Sequence, residues 1–383
     1  MTCNDLAIYI HWPFCKSKCP YCDFNSHVRE NIDEQRLNKA YMTSVDYYSD
    51  YLKNKRITSI FYGGGTPTLM PPVIVSNIIE KIASYADLSS DIEITLEANP
   101  TSTEAKKLLD FKNAGINRLS LGIQSLIDKD LKFLGREHSA NEAINAIKAA
   151  QIFENYSFDL IYGRPNQTLN DWEKELNNAL NFTANHLSLY QLTIEKGTSF
   201  YNDHKSGKFI MPDNESLADF YELTNHIMVK NNFNCYEISN YATTGYESKH
   251  NMAYWRYKNY LGLGAGAHSR INDNSGSTKA IMMIHSPEYW LESVENKKAG
   301  VQSQTTLSQK EILDEFILMG LRLSEGININ RLKEIAKKDF LAIKNNIDKY
   351  TKLSMLETEG DFIKTSNKGK FLLNMLTEKI LTY

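Results

Sequence analysis

LAIYIHWPFCKSKCPYCDF, residues 6–24, runs an apolar segment of strand length straight into a loop that holds three of the chain's five cysteines. The segment LAIYIHW (6–12) is short and rich in β-branched and aromatic residues, and it ends at Pro13, which together predict a strand. Cys15, Cys19 and Cys22 then follow with the spacing C-x3-C-x2-C. A free cysteine is normally buried singly, as a small hydrophobe. Three in one polar loop raise the question of a shared ligand.

Outward from this stretch the same order recurs. A helical stretch spans about Asp33 to Leu52, then ITSIFYGGG (57–65) precedes a helix after Pro71-Pro72. EITLEANP (93–100) leads to a helix over 101–115, and RLSLGIQS (118–125) to helical segments at 126–134 and 139–150. YSFDLIYGRP (156–165) precedes a helix over 170–181, and HLSLYQLT (186–193) closes the series. Six β/α units predict a parallel sheet with right-handed crossovers, doubly wound or curved into a barrel. The unusual residues choose between these. The cysteines follow strand one, Gly63-Gly64-Gly65-Thr66-Pro67 follows strand two, and Glu97, Gln124 and Gln191 stand at or just past later strand ends. In a barrel, such C-terminal ends converge on one mouth. The expected fold is therefore α/β: a partial (β/α)6 TIM-like barrel over 1–200, with a less regular extension over 201–304. That extension carries an aromatic-rich loop, HNMAYWRYKNYLGLGAGAHSR (250–270). Helices followed by a hairpin turning at Glu359-Gly360-Asp361 predict a winged-helix-like α+β module over 305–383.

Charge and composition exclude several roles. The 383 residues carry a net charge of −3, unlike a general nucleic-acid binder. The C-terminal module has 13 Lys/Arg against 11 Asp/Glu, too even a balance for a DNA-binding face. No apolar run approaches the ~20 residues of a membrane span, and the first residues lack a signal-peptide layout. The expected compartment is the cytoplasm, where thiols stay reduced, with peripheral contact at the inner face of the membrane compatible with this composition.

Reduced thiols this close together suit a metal centre. Zinc takes four closed ligands, so the three cysteines would need Cys3, His11 or His27 as a fourth. A [4Fe–4S] cluster held by three thiolates leaves one iron open, and Trp12, Phe14, Tyr21 and Phe24 beside Pro20 would limit water access to it. Loop cysteines without a ligand are the plain alternative.

C-x3-C-x2-C after a first barrel strand, with an aromatic before the third cysteine, resembles the signature of the radical S-adenosylmethionine (SAM) superfamily. The resemblance implies that Cys15, Cys19 and Cys22 ligate a [4Fe–4S] cluster. It further implies that SAM chelates the open iron and is cleaved by one electron to methionine and a 5′-deoxyadenosyl radical. GGGTP resembles the family's glycine motif, which places Gly64, Gly65 and Thr66 beside SAM; an ordinary βα turn is the alternative. Glu97 would accept hydrogen bonds from ribose hydroxyls, or else cap a helix. Gln124, Arg136 and Asp159 match polar SAM-contacting positions, as do Tyr9, Tyr21, Gln191 and His268. Without the resemblance, Arg136 reads as a surface helix charge, Asp159 as a paired strand residue and the tyrosines as core.

YIHWPFC, FYGGGTPT, LSLGIQS, FDLIYG and LSLYQLTIEKGT, in order, resemble one branch of that superfamily over the whole chain. The branch includes oxygen-independent coproporphyrinogen III oxidase and the heme-binding HemW-type proteins. The oxidase carries a further cysteine where this chain has Phe24, and an N-terminal extension before a first strand that here starts by Leu6. HNMAYW (250–255) matches an H-N-x-x-Y-W motif typical of HemW-type proteins, which makes His250 a heme-related candidate; a hydrogen-bonded core histidine is the alternative. The resemblance thus implies a heme chaperone with heme as cargo, a recipient hemoprotein at or near a membrane, an electron donor for the cluster, and a homodimer. The other reading is a radical SAM enzyme that decarboxylates a porphyrinogen.

Overall fold

The computed structural model describes residues 4–273 and 275–382. Six parallel strands follow one another in space as in sequence: β1 (Asp5–Trp12), β2 (Arg56–Gly64), β3 (Asp87–Ala98), β4 (Arg118–Gln124), β5 (Asn155–Tyr162) and β6 (His186–Gln191). Helices on the outer face cover them. Helix α1 (Glu34–Tyr47) starts where Asp33 accepts the Arg36 N–H, and it buries Leu37, Ala40, Tyr41, Ser44 and Val45. That i, i+3, i+4 stripe meets the outward set of β1, made of Leu6, Ile8, Ile10 and Trp12, in one continuous core. Two later crossover helices, α2 (Ala140–Ala150) and α3 (Leu169–Leu180), each begin with a reciprocal capping box, from Ser139 with Glu142 and from Thr168 with Asp171.

The expected partial barrel is present, but its sheet is twice as wide as expected. Beyond β6 lie β8 (Asn240–Ala242) and β7 (Asn234–Glu237); beyond β1 lie β9 (Tyr260–Leu263), β10 (His268–Asn272), β11 (Thr278–Met283) and β12 (Val301–Thr306). β9 pairs parallel to β1, and β10 to β12 continue antiparallel. The extension is therefore ordered sheet at both edges, not an irregular appendix. These strands are short and glycine-broken, which hid them from periodicity. At Gly262 a side chain would lie 2.2 Å from the His268 carbonyl, so only glycine permits that hairpin.

The stretch read as an aromatic loop opens with a helix, α4 (Lys249–Trp255). It has no visible amphipathic stripe because it sits against the barrel interior. Its N-terminus is held by Glu93 of β3, which accepts the N–H groups of Lys249 and His250, each at 3.2 Å, and the Ser248 hydroxyl at 3.3 Å. Glu93 is paired with the buried Arg118 of β4 at 3.7 Å. Four residues below Glu97 on the same face of β3, this cluster closes the interior as a floor.

Past residue 305, α5 (Gln309–Gly320), α6 (Ile329–Ala336) and α7 (Phe340–Lys352) pack with a three-stranded sheet of β13 (Ile327–Asn328), β14 (Leu356–Glu359) and β15 (Phe362–Thr365). Leu313, Phe316, Ile343, Ile347, Leu356 and Ile363 belong to a core separate from the barrel's. Arg331 of α6 donates to the Arg256 and Tyr257 carbonyls, and Glu315 of α5 pairs with Arg270 at 2.8 Å, which ties this unit to the barrel extension.

Candidate functional site

At the C-terminal ends of β1 to β6 the rim opens into a cavity of about 430 Å3. Cys15, Cys19, Cys22, Tyr21, Gly64, Gly65, Thr66, Glu97, Gln124, Arg136 and Asp159 all line it. Topology explains the convergence. Parallel strands present their ends on one side, and alternation turns Glu97, Gln124 and Asp159 inward while their neighbours enter the outer core.

The three thiols are free, and side-chain donors face Cys15 and Cys19. The Thr66 hydroxyl donates to Cys15 Sγ at 3.5 Å, and Arg136 Nη1 donates to Cys19 Sγ at 3.3 Å. Such donors stabilise sulfur in its thiolate form, which is the form that binds metal. Among the described residues, no three His, Cys, Asp or Glu side chains converge on one point that a single ion could occupy. The three thiols all line the same cavity. Of the possible fourth ligands for zinc, Cys3 lies outside the described residues. His11 has both ring nitrogens engaged, by Tyr9 at 3.1 Å and the Asn25 carbonyl at 2.8 Å.

The glycine loop has a structural reason of its own. Thr66 N donates to the Phe14 carbonyl and Gly65 N to the Trp12 carbonyl, so the loop docks on the entry to the cysteine segment. A side chain on Gly65 would lie 2.5 Å from the Phe14 carbonyl oxygen, and one on Gly64, at φ 111°, would strike the His11 ring. The space that the missing side chains leave is thus taken by the protein.

Two carboxylates deepen the site. Burial and the neighbouring Asp159 push Glu97 up to about 8, partly offset by the Gly64 N–H that it accepts at 3.3 Å. Burial raises Asp159 to about 6 against the pull of Ser188, Arg118 and Arg136. An unfolded chain releases the Glu97 proton near 4.5, whereas the folded chain keeps it to about 8. The folded state binds more protons across that window, so stability falls as pH rises through it. The melting temperature of the ligand-free protein is expected to drop between about pH 5 and pH 8, with a shallower slope for Glu97→Gln; equal slopes in scanning fluorimetry would remove this account of Glu97.

Several expected residues lie elsewhere. Tyr9 sits beneath the cavity, bonded to His11 and stacked on Phe61, rather than in its lining. Gln191 and His268 are also absent from the lining. Alternation on β6 points Tyr190 inward, and Gln191 turns toward Gly163 instead. Trp12 and Phe14 are buried in the outer core, whereas Tyr21 and Phe24 line the cavity beside the thiols, Phe24 being 57% exposed. His250 also lies away from the cavity lining. It is 1% exposed in the floor, stacked on Phe61 at 5.0 Å, with Nδ1 bonded to Ser59 and Nε2 to Tyr254, each at 2.9 Å. Burial lowers it to about 3, and its imidazole has no free nitrogen to offer a heme iron. Asn99 and Tyr190 line the cavity without having been anticipated. Asn99 stands inside the quoted motif E-A-N-P, and simple alternation along HLSLYQLT would have marked Tyr190.

Comparison with known proteins places these features in context. Residues 9–179 match the model of the radical SAM superfamily, and residues 307–372 match that of the HemN C-terminal domain. The heme chaperone HemW of Haemophilus influenzae is 34% identical over 98% of both chains, and that of Escherichia coli is 32% identical over 98% of both. The mitochondrial radical S-adenosyl methionine domain-containing protein 1 of Bos taurus is 38% identical over 84% of this chain and 74% of its own. Among solved structures, coproporphyrinogen III oxidase from Escherichia coli superposes with a TM-score of 0.82 at 18% identity, covering 99% of this chain and 91% of the oxidase.

Proposed function

Since the chain belongs to the radical SAM superfamily and, within it, to the HemW family, we propose that it binds heme and hands it to a recipient hemoprotein, with a [4Fe–4S] cluster and SAM at the rim cavity. One observation carries the reading: identity of 34% across 98% of a heme chaperone, against 18% to the oxidase that has the same fold. Phe24, where the oxidase has a cysteine, agrees with it.

Cys15, Cys19 and Cys22, which line the cavity, would hold the cluster in this proposal. When bound, the cluster and SAM supply one-electron chemistry. Arg136 offsets the charge of the thiolates from Cys19 outward. Glu97, raised to about 8, can donate a hydrogen bond to nucleoside hydroxyls near neutrality, Asp159, raised to about 6, can accept one, and Gln124 and Tyr21 close the sides. An electron donor, a homodimer and delivery at the inner face of the membrane complete the proposal. No helix among the described residues is long and apolar enough to cross a membrane.

The test sets the chaperone against the enzyme. Anaerobically reconstituted protein receives SAM and coproporphyrinogen III, with an authentic oxidase as control, and hemin in a parallel titration. Hemin is expected to bind, with a Soret band, and no decarboxylated product to form. Product with matching 5′-deoxyadenosine would make the chain an enzyme.

A further inference from the structure

Cys15 and Cys19 each accept a side-chain hydrogen bond, and the two donors, Thr66 and Arg136, are joined through one side chain. Arg136 Nη2 donates to Asn99 Oδ1 at 2.6 Å, and Asn99 Nδ2 donates to Thr66 Oγ1 at 3.0 Å. Thr66 then donates its hydroxyl hydrogen bond to Cys15, while Arg136 donates to Cys19 directly. The chain of donors has one direction. With its carbonyl committed to a cation and its amide to Thr66, Asn99 leaves the Thr66 hydroxyl hydrogen free to point at sulfur.

Asn99 is itself fixed from behind. The Glu104 carboxylate, 4% exposed, accepts the Asn99 N–H at 2.7 Å and also the Thr68 hydroxyl, so it fastens the end of β3 to the turn after the glycine loop. Asn99 is therefore held by backbone and side chain at a point where β2, β3 and the segment after β4 meet. None of the residue assignments made from the cysteine and glycine motifs requires an amide there.

We propose that Asn99 is a positioning residue that sets the reduction potential of the cluster, by orienting Thr66 toward Cys15 and Arg136 toward Cys19. The inference rests on the cluster assignment proposed above. Hydrogen bonds to ligating sulfur stabilise the more negative, reduced cluster, and so raise its potential. Adjacent bonds in a polarised chain strengthen one another, so a break at Asn99 weakens both contacts.

Three variants of the full chain test this: Asn99→Asp, Thr66→Val and the double variant, each reconstituted anaerobically, assayed for iron and titrated by EPR. Asn99→Asp keeps the shape but removes the donor, so the Thr66 hydroxyl turns to the new carboxylate and away from sulfur. Thr66→Val removes the last donor alone. Each single variant is expected to retain the cluster and to lower the reduced-to-oxidised ratio at fixed potential about tenfold, a negative shift of ~59 mV for one electron. The double variant is expected to shift by less than the sum of the singles, because both act on one relay. Full iron content with unchanged potentials would overturn the proposal, and so would additive shifts, which denote two independent charge effects. Loss of the cluster from both single variants would also overturn it, since the side chains would then build the site rather than tune it. Wild-type protein without about four irons per chain would instead sink the cluster assignment.

Discussion

Cys19→Ala is expected to remove the brown chromophore of the anaerobically reconstituted protein and to leave it with far fewer than about four irons per chain. Three thiols are available at the rim, and a cubane held by three protein ligands has none to spare. Cys19 is also the thiol that Arg136 faces at 3.3 Å, so its loss leaves a part-buried cation beside an apolar methyl. The fold should survive: the loop lies at the rim, outside the barrel core, and the substitution takes away one small side chain. Circular dichroism should match wild type while iron and absorbance disappear. Iron retained at wild-type level would mean that the C-x3-C-x2-C loop does not hold the cluster.

Glu175→Ala should have the largest effect on stability. The Glu175 carboxylate and the Arg164 guanidinium are 1% and 2% exposed and form a close ion pair. Glu175 also accepts the Ser125 hydroxyl at 2.5 Å and the Leu126 N–H at 2.9 Å. Removing one partner of a buried pair costs about 3–5 kcal/mol, because the other charge stays buried without compensation. Asp130 remains 3.3 Å from Arg164, which places the expected loss near the lower end of that range. Glu175→Gln keeps an acceptor for Ser125 and Leu126 but not the charge, so it should recover part of the loss. Denaturant midpoints separate the two variants; a Glu175→Ala midpoint within error of wild type would show that Asp130 carries the pair alone. Function should suffer as well. Gln124 precedes this anchor in a left-handed conformation at φ 72°, and the bonds to Ser125 and Leu126 hold the turn that aims it into the cavity.

Sequence and structure divide the information along physical lines. Local chemistry was legible in the chain: six strand-length runs with helices between them, the cysteine spacing, the glycine loop and the winged tail each rest on neighbours within a few residues. Convergence at one rim followed as well, because a parallel arrangement forces C-terminal strand ends to one side. Which polar residues enter the cavity was decided by the phase of each strand, and a shift of one position exchanges Tyr190 for Gln191. The fate of His250 depended on contacts across 157 and 191 positions of chain, with Glu93 and Ser59, that no local pattern records. The motif HNMAYW stands out in the sequence as a cluster of aromatics around a histidine. Only the tertiary structure shows that it forms the floor of the barrel, because burial leaves neither ring nitrogen unbonded.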